Sequence, residues 1–116
     1  MERSLENRLR ELLLRHAREA SMVTYRQIAE SLEVPPPRSI HQVTQALESL
    51  MAEDVAAGRP FLAALCVSRL GHGLPARGFF LAARKLGLYA GEPVGPEARA
   101  FHESEVKRLR TFYRDT

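Results

Sequence analysis

Three consecutive prolines, Pro35-Pro36-Pro37, constrain this chain of 116 residues more than any other feature. No helix continues through such a run, because each ring fixes φ, removes a backbone donor and pushes the preceding residue out of the helical region. The chain is therefore divided there, and both flanks carry a helix-start signal. Upstream, Thr24-Tyr25-Arg26-Gln27 has the Thr-x-x-Gln form of a capping box, in which two side chains satisfy orphan backbone donors. Ile28, Ala29 and Leu32 carry a short helix from it to about Glu33. Downstream, Ser39-Ile40-His41-Gln42 repeats the form, and Ile40, Val43, Leu47 and Leu50 follow at helical spacing, so a longer helix is expected from about Arg38 to Asp54. Two such helices joined by a turn make a helix-turn-helix candidate over about 24–54, with a joint from Glu33 to Arg38 that is longer than the tightest version.

Other elements flank this pair. From about Arg3 to Ala20, the residues Leu5, Leu9, Leu12, Leu13, His16 and Ala17 recur at helical spacing, with Glu and Arg on the opposite face. After Gly58-Arg59-Pro60, the run Phe61 to Ser68 reads as a short buried strand bounded by turn signals, although its alanines leave a helix open. Arg69 to Gly78 is dense in glycine and contains Pro75, as a loop needing positive backbone angles must be. A helix at about 79–86 stops at Gly87, and Gly95-Pro96-Glu97 opens a last helix at about 96–114. The expected architecture is a single domain over 1–116, mainly α with a small β element, and winged-helix-like. It comprises a helix-turn-helix, a short strand and Gly-rich wing at about 61–78, and flanking N- and C-terminal helices.

An apolar share of 45% and a charged share of 27% suit a folded domain. The longest apolar stretch, Phe61 to Val67, is far shorter than the ~20 residues a membrane span needs, and no apolar signal core follows Met1-Glu2-Arg3. No membrane partner and a cytoplasmic location are expected. Cys66, alone, makes no internal disulfide and gives no basis for a structural zinc site.

The net charge of +3 is unevenly spread. Between Val55 and Gly91 there is no acidic residue, while Arg59, Arg69, Arg77, Arg84 and Lys85 lie inside, so these 37 residues carry +5 and the rest of the chain −2. That segment holds the wing, the part of a winged-helix domain that lies along a phosphate backbone, and Arg69, Arg77, Arg84 and Lys85 are expected as backbone clamps. On the candidate recognition helix, Arg38, His41, Gln42 and Gln45 present groups that can donate to phosphates or base edges, and Glu48 beyond them is an acid that phosphate repels. An N-terminal approach of this helix to DNA suits that order; a merely solvated helix face is the plain alternative.

The stretches Val23-Thr24-Tyr25-Arg26-Gln27-Ile28-Ala29 and Pro37-Arg38-Ser39-Ile40-His41-Gln42-Val43-Thr44-Gln45-Ala46-Leu47 resemble the helix-turn-helix of the alkylguanine-DNA alkyltransferases and their alkyltransferase-like relatives. The resemblance covers about Ser21 to Leu50 and is looser through Gly71 to Leu86. It implies a winged-helix-like fold that binds DNA through the minor groove, with Tyr25 matching the family's tyrosine beside the target nucleotide's phosphate. His41 falls where the family inserts an arginine into the base stack, and is a poorer wedge. The family's methyl acceptor lies in a Pro-Cys-His-Arg run, whereas the corresponding stretch here is Phe61-Leu62-Ala63-Ala64-Leu65. Cys66 comes about three residues late, between Leu65 and Val67, where burial raises a thiol's pKa. Alkyl transfer is not expected, and Cys66 reads as a packed core thiol.

His16, His41, His72 and His102 are scattered without ligand partners, so no metal is expected. Gly71-x-Gly73 with Gly78 lacks the spacing of a dinucleotide fingerprint and the Gly-Lys-Ser/Thr of a P-loop. No catalytic residue and no cofactor are therefore expected. The sequence points to a non-catalytic protein that binds duplex DNA, DNA-repair-related or regulatory. The alternative is a protein-interaction or homodimerisation module using its winged-helix-like surface or its first and last amphipathic helices, with Phe112-Tyr113 as an aromatic anchor or as core of the last helix.

Overall fold

A computed structural model describes residues 4–114. Its helices are α1 (Leu5–Arg18), α2 (Tyr25–Ser31), α3 (Ser39–Ala56), α4 (Arg77–Lys85) and α5 (Pro96–Tyr113), with two short strands, β1 (Val23–Thr24) and β2 (Cys66–Val67). The fold is mainly helical with a two-stranded parallel sheet, in the register Val23 to Cys66 and Thr24 to Val67. None of the described helices is long and apolar enough to cross a membrane.

Local chemistry explains most helix starts and stops. Ser4 caps α1 by accepting from the Asn7 amide at 3.1 Å, and the helix buries Leu9, Leu12, Leu13 and Ala17 along one stripe. The capping box of α2 is complete: the Thr24 hydroxyl accepts from the Gln27 amide at 3.1 Å, and the Gln27 side chain accepts from the Thr24 amide at 2.9 Å. Gly87 ends α4 in the left-handed region (φ +81°), and the amides of Gly87 and Leu88 return to Arg84 and Ala83.

The second capping box does not form. Arg38, with a left-handed φ of 62°, is the residue before α3, and no side chain caps that helix. The proline run is responsible: it leaves carbonyls without helical partners, and the Gln42 side-chain amide donates to those of Pro35 (2.9 Å) and Pro37 (3.2 Å) rather than joining a box. At its other end α3 reaches Ala56, two residues beyond the expected Asp54. α4 likewise starts at Arg77, two residues before the expected Phe79.

The expected strand over 61–68 is corrected in kind. Leu62–Leu65 is a turn of 3-10 helix, and only Cys66–Val67 pairs as strand. Phe61 through Cys66 are all buried, with no alternating exposed face, and the segment lies among α1, α3 and α5. Without neighbouring strands on both sides, its backbone finds other partners. The Phe61 amide donates to Glu105 Oε2 at 3.0 Å, the Leu62 amide to Asp54 Oδ2 at 3.2 Å, and His102 Nε2 donates to the Ala64 carbonyl at 2.8 Å. Asp54, His102 and Glu105 are the buried polar side chains among the described residues, and all three serve this one segment.

The two carboxylates are themselves neutralised. Asp54 Oδ1 accepts from Arg10 at 2.9 Å and Arg59 at 3.1 Å, and Glu105 pairs with Arg108. Phe79 packs edge-on to the His102 ring and tilted against Phe101.

Asp54→Ala leaves the buried Leu62 amide without its acceptor and Arg10 and Arg59 without their shared partner. The expected loss is about 3 kcal/mol, read as a fall of roughly 10 °C in Tm by circular dichroism. Burial also holds His102 neutral by lowering its pKa, against the opposing hydrogen bond to Ala64. Below about pH 6.5 the unfolded chain therefore binds the extra proton first, so this contribution is complete above that pH and is lost as pH falls toward the depressed folded value. Urea midpoints measured at about pH 7.5 and about pH 5 should differ more in the wild type than in His102→Gln.

Candidate nucleic-acid interface

Three hollows adjoin along one face. The first, of about 570 Å³, lies between α2 and the start of α3 and is lined by Arg26, Glu30, Glu33, Arg38, Ile40 and His41. The second, of about 550 Å³, is lined by Tyr25, Arg26, Ile40, Thr44, Arg69 and Leu70. The third, of about 500 Å³, includes Leu70, His72, Arg77, Val94 and Arg99. Arg26 and Ile40 border both the first and second, while Ser68, Leu70 and Ala76 border both the second and third, so the three form one continuous groove.

The loop between β2 and α4 shapes the groove's far half. Its backbone is closed by bonds from the Ser68 amide to Leu74 (2.8 Å), from Gly71 to Ser68 (3.1 Å) and from Leu74 to Gly71 (3.0 Å). Glycine is required at 71, where a Cβ would stand 2.9 Å from the Leu74 carbonyl oxygen. Two helices tether the loop from outside: the Ala76 amide donates to the Tyr25 hydroxyl at 2.9 Å, and Arg99 donates to the His72 carbonyl at 3.2 Å.

The basic side chains differ in what they meet, and Arg84 and Lys85, outside the groove, also lack an ion pair among the described residues. Arg10, Arg59 and Arg108 are committed to carboxylates. The guanidinium groups of Arg26, Arg38, Arg69 and Arg77, on the groove, make no hydrogen bond or ion pair among the described residues. The starts of α3 at Arg38, α4 at Ala76 and α5 at Gly95 also border the groove, and none has a side-chain cap. Their first-turn amides lack the side-chain acceptor that a capping residue supplies, and the helix dipoles add partial positive charge at the same ends.

Of the residues expected from the sequence, the groove gathers Tyr25, Arg38, His41, Arg69 and Arg77. Tyr25 holds its hydroxyl inside the protein, where it accepts from Ala76 and is hydrogen-bonded with the Cys66 side chain. Gln42 is turned to the proline carbonyls, as described above. Gln45, Arg84 and Lys85 are exposed but line none of the three hollows. Arg59, counted in the basic segment, is bound to Asp54. Sequence reasoning overlooked Arg26, Ile40, Leu70 and Arg99. Arg26 could have been found as an interior position of the first capping box, which turns outward on a helix buried through Ile28 and Ala29; Arg99 had no local signal.

Cys66 is fully buried, and burial pushes its thiol well above the ordinary range, only partly opposed by the hydrogen bond with Tyr25. Among the described residues no group of three His, Cys, Asp or Glu could hold a metal ion. The native protein at about pH 8 should leave Cys66 unmodified by a thiol-specific disulfide reagent, with one equivalent reacting once urea unfolds the chain.

Comparison with known protein families, with curated proteins and with solved structures finds no match for this chain.

Proposed function

We propose that this protein binds duplex DNA without catalysing a reaction, seating phosphates along the groove between α2, the start of α3 and the loop after β2. In this reading the loop acts as the wing of a winged-helix-like domain, and α3 approaches the DNA by its N-terminal end. The observation that carries it is the meeting, in one groove, of four arginines without partners and three helix starts without side-chain caps. Phosphate oxygens supply what both lack, since a guanidinium fork and open helix amides each favour a multivalent anion. Four guanidinium groups without carboxylate partners, gathered along one groove, are a pattern expected of a surface that meets a polyanion.

Tyr25 then acts by positioning, fixing the loop through Ala76 rather than by giving its hydroxyl to a phosphate. Arg84 and Lys85 lie outside the groove and provide a control with the same change in charge. Arg69→Ala/Arg77→Ala should weaken binding to all duplex sequences alike and lower the slope of log affinity against log salt by about 2. Arg84→Ala/Lys85→Ala should leave that slope nearly unchanged. Fluorescence anisotropy across a salt series measures both, and equal affinity of the wild type and the Arg69/Arg77 variant at low salt would sink the proposal.

A further inference from the structure

Leu70 is 91% exposed, more than any other large apolar side chain among the described residues. It borders both the second and the third hollow, which also carry Arg69 and Arg77, so it presents an apolar point beside free cations. Ile40 on one side and Val94 on the other, 45% and 70% exposed, continue the apolar surface. A leucine held in water at a loop tip gains nothing for the fold, because burial is what makes its side chain favourable.

Its presentation is nevertheless fixed. The turn that carries Leu70 is closed by three backbone bonds, requires glycine at 71, and is tethered to α2 through Tyr25 and to α5 through Arg99. Arg69, next to it, has no partner among the described residues. A rigid apolar point flanked by free cations suits an occupant that is charged on its outside and apolar within. Duplex DNA has that chemistry, with phosphates around a stack of flat bases, and proteins that kink DNA insert Leu, Ile, Met, Phe or Pro between base steps.

Resting on the DNA-binding reading above, we infer that Leu70 is a wedge that enters the base stack of the bound duplex, while Arg69 and Arg77 hold the flanking phosphates. The step costs unstacking of one base step and is offset by burying Leu70 and by the closer approach of the groove to the backbone.

The test uses the full chain and duplexes carrying 2-aminopurine, whose fluorescence rises when it leaves the stack. Binding is followed separately by the anisotropy of an end label. At saturation the wild type should raise 2-aminopurine fluorescence severalfold. Leu70→Ala should bind roughly tenfold more weakly and give no rise when saturated, and Leu70→Phe should restore it. The Arg69→Ala/Arg77→Ala variant should need more protein to saturate but reach the same rise. Saturated wild-type complexes without a fluorescence change, or an equal rise with Leu70→Ala, would overturn the wedge and leave the binding reading standing. Absence of any anisotropy change with duplex at low salt would overturn both.

Discussion

The structure depends on how a fully buried, irregular stretch of backbone is satisfied. Phe61 through Cys66 pass among α1, α3 and α5 with their side chains buried, yet only Cys66–Val67 joins a sheet. Each amide or carbonyl left unpaired in that position would cost as much as a lost hydrogen bond or more. Asp54 from α3 and Glu105 from α5 accept the first two amides, and His102 from α5 donates to the Ala64 carbonyl. These side chains could not be replaced by apolar ones of similar size without orphaning the segment they hold. That makes the placement of buried charge here a requirement of topology more than a gain in electrostatic energy.

This arrangement sets the two strands and, through them, the groove. β2 follows directly from the 3-10 turn and pairs with β1, whose Thr24 is the cap of α2. The pairing brings Tyr25 against the end of the loop that begins at Ser68, so the groove's two walls are joined through two residues of sheet and one phenol. Arg10 and Arg59, which neutralise Asp54, are consumed in building this frame and contribute no free charge to it. Arg26, Arg38, Arg69 and Arg77 are spared that duty.

Sequence reasoning reached the helices because their signals are local. The stripe of α1, the Thr24 box, the break at the prolines and the stop at Gly87 each depend on residues a few positions apart. It failed at Ser39, where a correct pattern was overruled by neighbouring proline carbonyls competing for Gln42. It also failed at Phe61 to Leu65, since an apolar run announces burial without saying which backbone geometry is buried. The partners that decide it are distant in sequence: Glu105 lies 44 residues beyond Phe61. The basic segment showed the same limit. Counting its charges could not reveal that Arg59 is paired or that Arg26 and Arg99, outside the segment, complete the groove.

Arg99, His102 and Glu105 are spaced three residues apart on α5 and bond to three separate places: the loop at His72, the 3-10 turn at Ala64, and its entrance at Phe61. One helix thus indexes core and groove together, like the teeth of a key set at fixed intervals. Sliding or rotating α5 by a single step would misalign all three contacts at once. The loop's position is thereby slaved to the packing of a helix that contributes only Gly95, as its cap, and Arg99 to the groove itself. The shape of the groove and the seating of α5 are, on this geometry, set by the same row of contacts.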